Sequence, residues 1–449
     1  MKLKFLGAAG TVTGSSYVLT SGSGQALLID LGMFQGPPEI DKLNYEPYDY
    51  DPSILIGAVL THAHLDHCGR LPIITPRGFK GSIYMTPPTR DLTELSLFDS
   101  AKIARDDSKQ FLYNAAQVTQ TITNFRTVEY RTPTTIGDFT VTFRDAGHIL
   151  GSASLEITDK NSDTKFKKIV FSGDLGNSPE PLEAPTELID TADAVVMEST
   201  YGDRLHPIGN PVDAIQKEIN TIEKTGGTLL IPSFSLDRTQ ELMHIIMHLK
   251  KEGKVENVTP IFMDSPMAEK ATTIYVNYPK LFNAHIQEDL KIGSIFNFPG
   301  MNVVEGGRAS EGLHNTPGAK VIIAGSGMMT GGRIVGHAAY YLPIESTRLL
   351  IVGYQGEGTL GRALLERAKE VFIKGQKITV KGETTDIQTL SSHADQKQLM
   401  NWLGHIKDVK KVFLTHGEDG PRTSLSAKIN QDLGLKDIII PTLNQELQF

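Results

Sequence analysis

The chain has a single cysteine and no excess of positive charge. Each shortage closes off a class of protein. With Cys68 alone there can be neither an internal disulfide framework nor a cysteine-rich metal centre, so a bound cation must rely on His, Asp or Glu. A formal net charge of -8 argues against holding nucleic acid through an overall basic coat, while a local basic groove stays compatible with it. No apolar run reaches the ~18 residues that a membrane-spanning helix takes. The opening MKLKFLGAAG breaks its apolar stretch at Gly7 and Gly10, which reads as a first strand and turn rather than a signal peptide. A cytoplasmic protein with no membrane partner is the expectation.

What is present is a chain of 449 residues, 39% of them hydrophobic, enough to bury the cores of two domains. Apolar runs such as ALLID, LIGAVLTHAH, VTFRDAGH, KIVFSGD and AVVMEST fill residues 26–200, and each ends in a metal-ligand type or an acid. From about residue 212 the rhythm changes. GTLLIPSF, PIFMDS and KVIIAGSG are each followed by a helical pattern, and such alternation predicts a parallel sheet with crossover helices. The ligand-tipped style returns in VKKVFLTHGE. An α/β domain inserted over 207–385 is therefore expected, between a first domain's two parts at 1–206 and 386–449.

Histidines are scarce, 13 in all, yet LTHAHLDHCGR places His62, His64 and His67 with Asp66 within six positions. After a strand, His62 and His64 point to one side and Asp66 and His67 follow at a turn. One loop thus offers four ligands. A lone histidine is ordinarily a polar surface or capping residue; this concentration is not explained that way.

The pattern His-x-His-x-Asp-His resembles the signature of the metallo-β-lactamase superfamily. Its remaining motifs match DAGHILGS with His148, FSGDLG with Asp174 and FLTHGE with His416. The resemblance implies an αββα sandwich and two zinc ions per chain. One would be held by His62, His64 and His148, the other by Asp66, His67 and His416, with Asp174 bridging. Asp30 in LLIDLG matches an acid that orients ligands without binding metal; read by itself it is a strand-end turn residue. A cation pair lowers the pKa of a shared water and neutralises charge on the attacked group, which suits hydrolysis.

Fold alone does not choose the substrate. The di-iron oxidoreductases of this fold typically carry Glu where this chain has His64. The insertion resembles the β-CASP domain of nucleic-acid-processing members, including the cleavage and polyadenylation endonuclease. MESTYGDR matches motif A with Glu198, LSSHADQ matches motif B with His393, and LTHGE matches motif C, where histidine goes with RNA-processing members. Asp66, Glu198 and His393 are then the expected catalytic residues. The implied activity is hydrolysis of single-stranded RNA in a cleft between the domains, leaving a 5′-phosphate, and the assembly implied extends to a homodimer. His393 beside Asp395 and Gln398 also fits a plain helix start. The rival readings are a small-ester zinc hydrolase and an idle RNA-binding paralogue; the insertion speaks against the first, the full ligand set with Glu198 and His393 against the second. Neither an N-terminal KH-type module nor the extra C-terminal domain of ribonuclease J enzymes is expected.

In GSGMMTGGR, Ser326, Gly327, Gly331, Gly332 and Arg333 are candidates for RNA phosphate contact, since free amides after a strand and before a helix suit an anion. The segment is neither a dinucleotide fingerprint nor a Walker loop, and a plain tight turn fits it equally well. Arg238 carries the same ambiguity. His244 and His248 stand four apart on a helix but lack a zincin's Glu and flank an apolar stripe, so they are set aside. His206, His285, His314, His337 and His405 show no ligand constellation. Cys68 and Trp402 are expected to pack in the core.

Overall fold

The computed structural model describes residues 1–47, 49–106, 111–162, 164–178 and 181–449. The chain folds as two compact units, Met1–Leu205 with His393–Phe449, and His206–Ser392. Among the described residues no helix is long and apolar enough to cross a membrane.

The first unit packs two seven-stranded sheets face to face. One runs in the order Glu446–Gln448, Lys2–Phe5, Ser16–Thr20, Ala26–Leu31, Leu55–Val59, Ser82–Met85, Phe125–Thr127. The other runs Ile438–Ile439, Lys411–Leu414, Ala194–Met197, Lys168–Phe171, Ala153–Asp159, Phe139–Asp145, Thr134–Ile136. Alternation along each strand builds three apolar layers. Leu27 and Ile29 face the inter-sheet core with Phe143, Phe171 and Phe413. Leu28, one residue over, packs outward against Leu97 and Val118, which lie in the helices Pro87–Asp106 and Ala115–Ile122. On the opposite outer face Val195 and Leu414 meet Leu399, Trp402 and Leu425. Both faces of each sheet are covered, which is why Ala26–Leu31 is buried at all six positions and reads as one continuous apolar run. Trp402 and Cys68 both lie in these cores.

The second unit is a six-stranded parallel sheet in the order Met301–Val303, Ile261–Asp264, Lys320–Ala324, Thr228–Pro232, Arg348–Ile351, Glu383–Asp386. Crossover helices include Arg238–Lys251, Pro266–Val276 and Gly332–Tyr341. The unit runs to Ser392, beyond the expected edge at 385, because Glu383–Asp386 is a strand of this sheet, pairing with Arg348–Ile351.

Candidate metal centre

Sheet ends supply the site. His62, His64, Asp66 and His67 leave strand Leu55–Val59 on a loop that turns into the short helix Leu65–Cys68. His148 lies in the turn between Phe139–Asp145 and Ala153–Asp159, Asp174 follows Lys168–Phe171, Glu198 follows Ala194–Met197, and His416 follows Lys411–Leu414. His393 precedes the helix Gln396–His405; the cap of that helix is Asp395, which exchanges bonds with Gln398, so the helix start does not account for His393.

Glycine lets two of these loops meet their supports. A Cβ on Gly32 would fall 1.6 Å from the Asp66 carbonyl oxygen, and one on Gly176 would fall 1.6 Å from that of Gly147, beside His148. The glycines of LLIDLG and FSGDLG are there for this close approach. Asp30 and His416 adopt left-handed backbone, φ 53° and 48°, a conformation that non-glycine residues seldom hold outside over-determined sites.

Two ligand clusters result, His62, His64, His148 and Asp174, and Asp66, His67, Asp174 and His416. In the first, His64 Nδ1 lies 3.1 Å from both His62 Nε2 and His148 Nε2. Asp174 turns Oδ2 to that cluster, 3.5 Å from His62 Nε2 and 3.8 Å from His148 Nε2. Its Oδ1 turns to the other, 3.2 Å from His67 Nε2 and 3.6 Å from His416 Nε2. His416 Nε2 is also 3.4 Å from Asp66 Oδ2. Tetrahedral ligands at about 2.0–2.1 Å from zinc stand roughly 3.3 Å from one another, close to these spacings.

The donors fit a cation better than they fit each other. His67 Nε2 and Asp174 Oδ1 are buried and face one another without an aligned hydrogen bond. Burial pushes the His62 ring well down and His64 to about 4, leaving neutral imidazoles with lone pairs to give. At Asp174, burial favours the neutral acid, but the His416 and His67 rings outweigh it and hold the carboxylate ionised.

Around the donors stands a supporting shell. Asp30, 2% exposed, accepts from Thr61 N–H at 2.7 Å, from Thr61 Oγ1 at 2.8 Å and from His67 Nδ1 at 2.8 Å, which points His67 Nε2 at Asp174. Glu198 accepts from Leu175 N–H and from Thr200 Oγ1, both at 2.6 Å, and faces His393 Nδ1 at 3.3–3.4 Å. Thr200 Oγ1 also lies 3.0 Å from His416 Nδ1. The His393 ring is 4.7 Å from that of His148. Burial would discharge His393, but Glu198, with Asp174 and Asp66 behind it, lifts its pKa to about 9. Thr61 and Thr200 were missed from sequence. The signal was there: each adjoins a motif residue, in LTHAH and in MESTYGDR.

The glycine loop belongs to the second unit. Ser326 Oγ accepts from Thr330 N–H at 3.1 Å, and helix Gly332–Tyr341 begins on Gly331 as its cap. Arg333 Nη1 bonds Asp264 and the Val304 carbonyl, the latter at 3.0 Å. Arg238 is buried, paired with Glu241 and bonded to Ser392 Oγ at 2.7 Å. Both arginines thus have internal anchors.

Known proteins agree with this frame. Residues 9–215 match the metallo-β-lactamase superfamily, 239–364 the β-CASP domain and 377–441 the Zn-dependent metallo-hydrolase RNA specificity domain. A ribonuclease of Thermus thermophilus is 35% identical over 424 residues, covering 93% of this chain and 94% of its own. The RNase aCSPSF2 of Saccharolobus solfataricus is 31% identical across 99% of this chain and 85% of its own, and the transcription termination factor FttA of Methanosarcina mazei is 30% identical across 94% and 68%. A crystal structure of an Enterococcus faecalis protein of unknown function shares the fold at a TM-score of 0.56 and 10% identity, covering 99% of each chain. The chain belongs to the β-CASP family of the metallo-β-lactamase superfamily.

Proposed function

We propose that the chain is a ribonuclease that hydrolyses phosphodiester bonds of single-stranded RNA and holds two zinc ions, one in each cluster. The observation that carries this reading is Asp174, a member of both clusters, which turns one carboxylate oxygen to His62 and His148 and the other to His67 and His416. When bound, zinc supplies Lewis acidity that activates water and neutralises charge on the attacked phosphate. The chain's own residues do the rest. Asp30 fixes the His67 tautomer, and Thr200 links Glu198 to His416. Glu198 holds His393 and sustains its protonated form, so His393 can stabilise a phosphate oxygen or protonate the leaving 3′ oxygen. Asp66 completes the second cluster.

RNA as substrate is supported by the ribonuclease names of two relatives and by histidine at position 416. Ser326, Gly327, Gly331 and Gly332 are proposed as a phosphate-contact loop, with Arg333 bracing it through Asp264. Contacts to phosphate carry no base information, so sequence preference should be weak. The test is one sequence made as single-stranded RNA, single-stranded DNA and duplex DNA, run beside a chromogenic β-lactam and a thioester. Preferred cleavage of the RNA is expected; preference for duplex DNA or for either small ester overturns the assignment.

A further inference from the structure

The second unit holds another group of ligand-type side chains that the centre above does not use. His244 and His248 stand one turn apart on the helix Arg238–Lys251, and His285 and Asp289 stand one turn apart on the helix Ala284–Ile292. The two pairs face each other. Asp289 Oδ2 lies 2.8 Å from His248 Nε2, 3.3 Å from His244 Nε2 and 3.8 Å from His285 Nε2. The Nε2 atoms of His244 and His248 are themselves 3.0 Å apart. Ligands of a tetrahedral zinc stand roughly 3.3 Å from one another, close to the separations among His244, His248 and Asp289, while His285 stands just outside that group.

A plain hydrogen-bond network explains the group less well. Two ring nitrogens in close contact require one to lack its proton, and a single carboxylate oxygen is shared among three rings. Lys251 Nζ stands 3.9 Å from the other oxygen, Oδ1, leaving Oδ2 to the histidines. Leu242, Ile245, Ile246 and Leu249 are buried beneath the first helix and Ile286 beneath the second, so both scaffolds are fixed by packing.

We infer that His244, His248, His285 and Asp289 form a separate metal site for zinc or a similar borderline divalent cation. His244, His248 and Asp289 offer three ligand atoms within 4.8 Å of one another, and a side-chain rotation of His285, 3.8 Å from Asp289 Oδ2, supplies the fourth position of a tetrahedron; four protein ligands are the mark of a structural rather than a catalytic site. Its role is to clamp the two helices together, with His285, 73% exposed, as the arm that closes last.

The test takes the full chain, strips it with a chelator, reloads it with zinc, desalts it and counts metal by elemental analysis. His248→Gln and His285→Gln should each retain about one zinc per chain fewer than wild type; the second lies on the surface and leaves the fold intact. Equal metal content in wild type and both variants overturns the site. A further arm loads Co2+ into Asp174→Ala, where a tetrahedral visible absorption should persist and should vanish when His248→Gln is added. Failure of the two-cluster reading would leave the difference between wild type and the His248 and His285 variants unchanged, so the two ideas fail separately.

Discussion

Replacing Asp30 by asparagine keeps the shape of the side chain and removes one acceptor, which isolates its orienting role. The wild-type carboxylate takes three bonds, two from Thr61 and one from His67 Nδ1. An amide has one oxygen. If that oxygen stays with Thr61 N–H, the amide NH2 faces His67 Nδ1, which must become an acceptor and send its proton to Nε2. That nitrogen lies 3.2 Å from Asp174 Oδ1, where a ligand lone pair is needed. If the amide flips, NH2 meets the buried Thr61 N–H instead, an unsatisfied contact costing about 1–3 kcal/mol. Either way Asp30→Asn should weaken zinc at the Asp66, His67, Asp174 and His416 cluster by about 10–100-fold, or about 1.4–2.7 kcal/mol. The His62 cluster should feel the change only through the Thr61 hydroxyl, 3.1 Å from His62 Nδ1. Competition against a chromophoric chelator resolves the two affinities. Both remaining within about twofold of wild type would refute the tautomer reasoning.

Gly32→Ala drives a methyl into the Asp66 carbonyl, so metal should be lost from the Asp66 and His67 side, with overpacking costing about 1–3 kcal/mol of stability; elemental analysis and thermal melting report the two effects. Lys250→Met is a contrast in the second unit. Its ammonium donates to the carbonyls of Asn257, Thr259 and Pro299 at 3.1, 2.6 and 2.9 Å, so its loss should cost about 3 kcal/mol or more in denaturant melts and leave the metal content of the first unit unchanged. His393→Ala should retain both zinc ions and still bind RNA in a gel-shift assay, while cleavage falls by roughly 10²–10⁴; near-normal cleavage removes His393 from the mechanism.

The candidate metal clusters were legible because their residues sit where apolar runs end, and a run's end can be read without knowing its neighbours. His148, Asp174 and His416 stand at such ends and match the family's motifs, and the structure divides them between two clusters that share Asp174. Partnerships across the chain are another matter. Arg333 reads as a phosphate contact until Asp264, 69 positions away, takes its guanidinium. The same holds for His248, whose partner Asp289 lies 41 positions on, on a different helix. Thr61 and Thr200 were overlooked because threonine is chemically unremarkable in sequence; only the positions of Asp30 and Glu198 give their hydroxyls a task. Strand order is similarly hidden. Nothing in ELQ announces that Glu446–Gln448 closes the edge of the first sheet against Lys2–Phe5.

The most direct measurement follows cleavage of an end-labelled, unstructured RNA by the full chain before chelation, after chelation and after zinc is returned, with Asp174→Ala in parallel. The account predicts cleavage that stops on chelation, returns with zinc, leaves a 5′-phosphate on the downstream product and is absent from Asp174→Ala at every stage. Cleavage that survives chelation, or that Asp174→Ala performs as well as wild type, would contradict it.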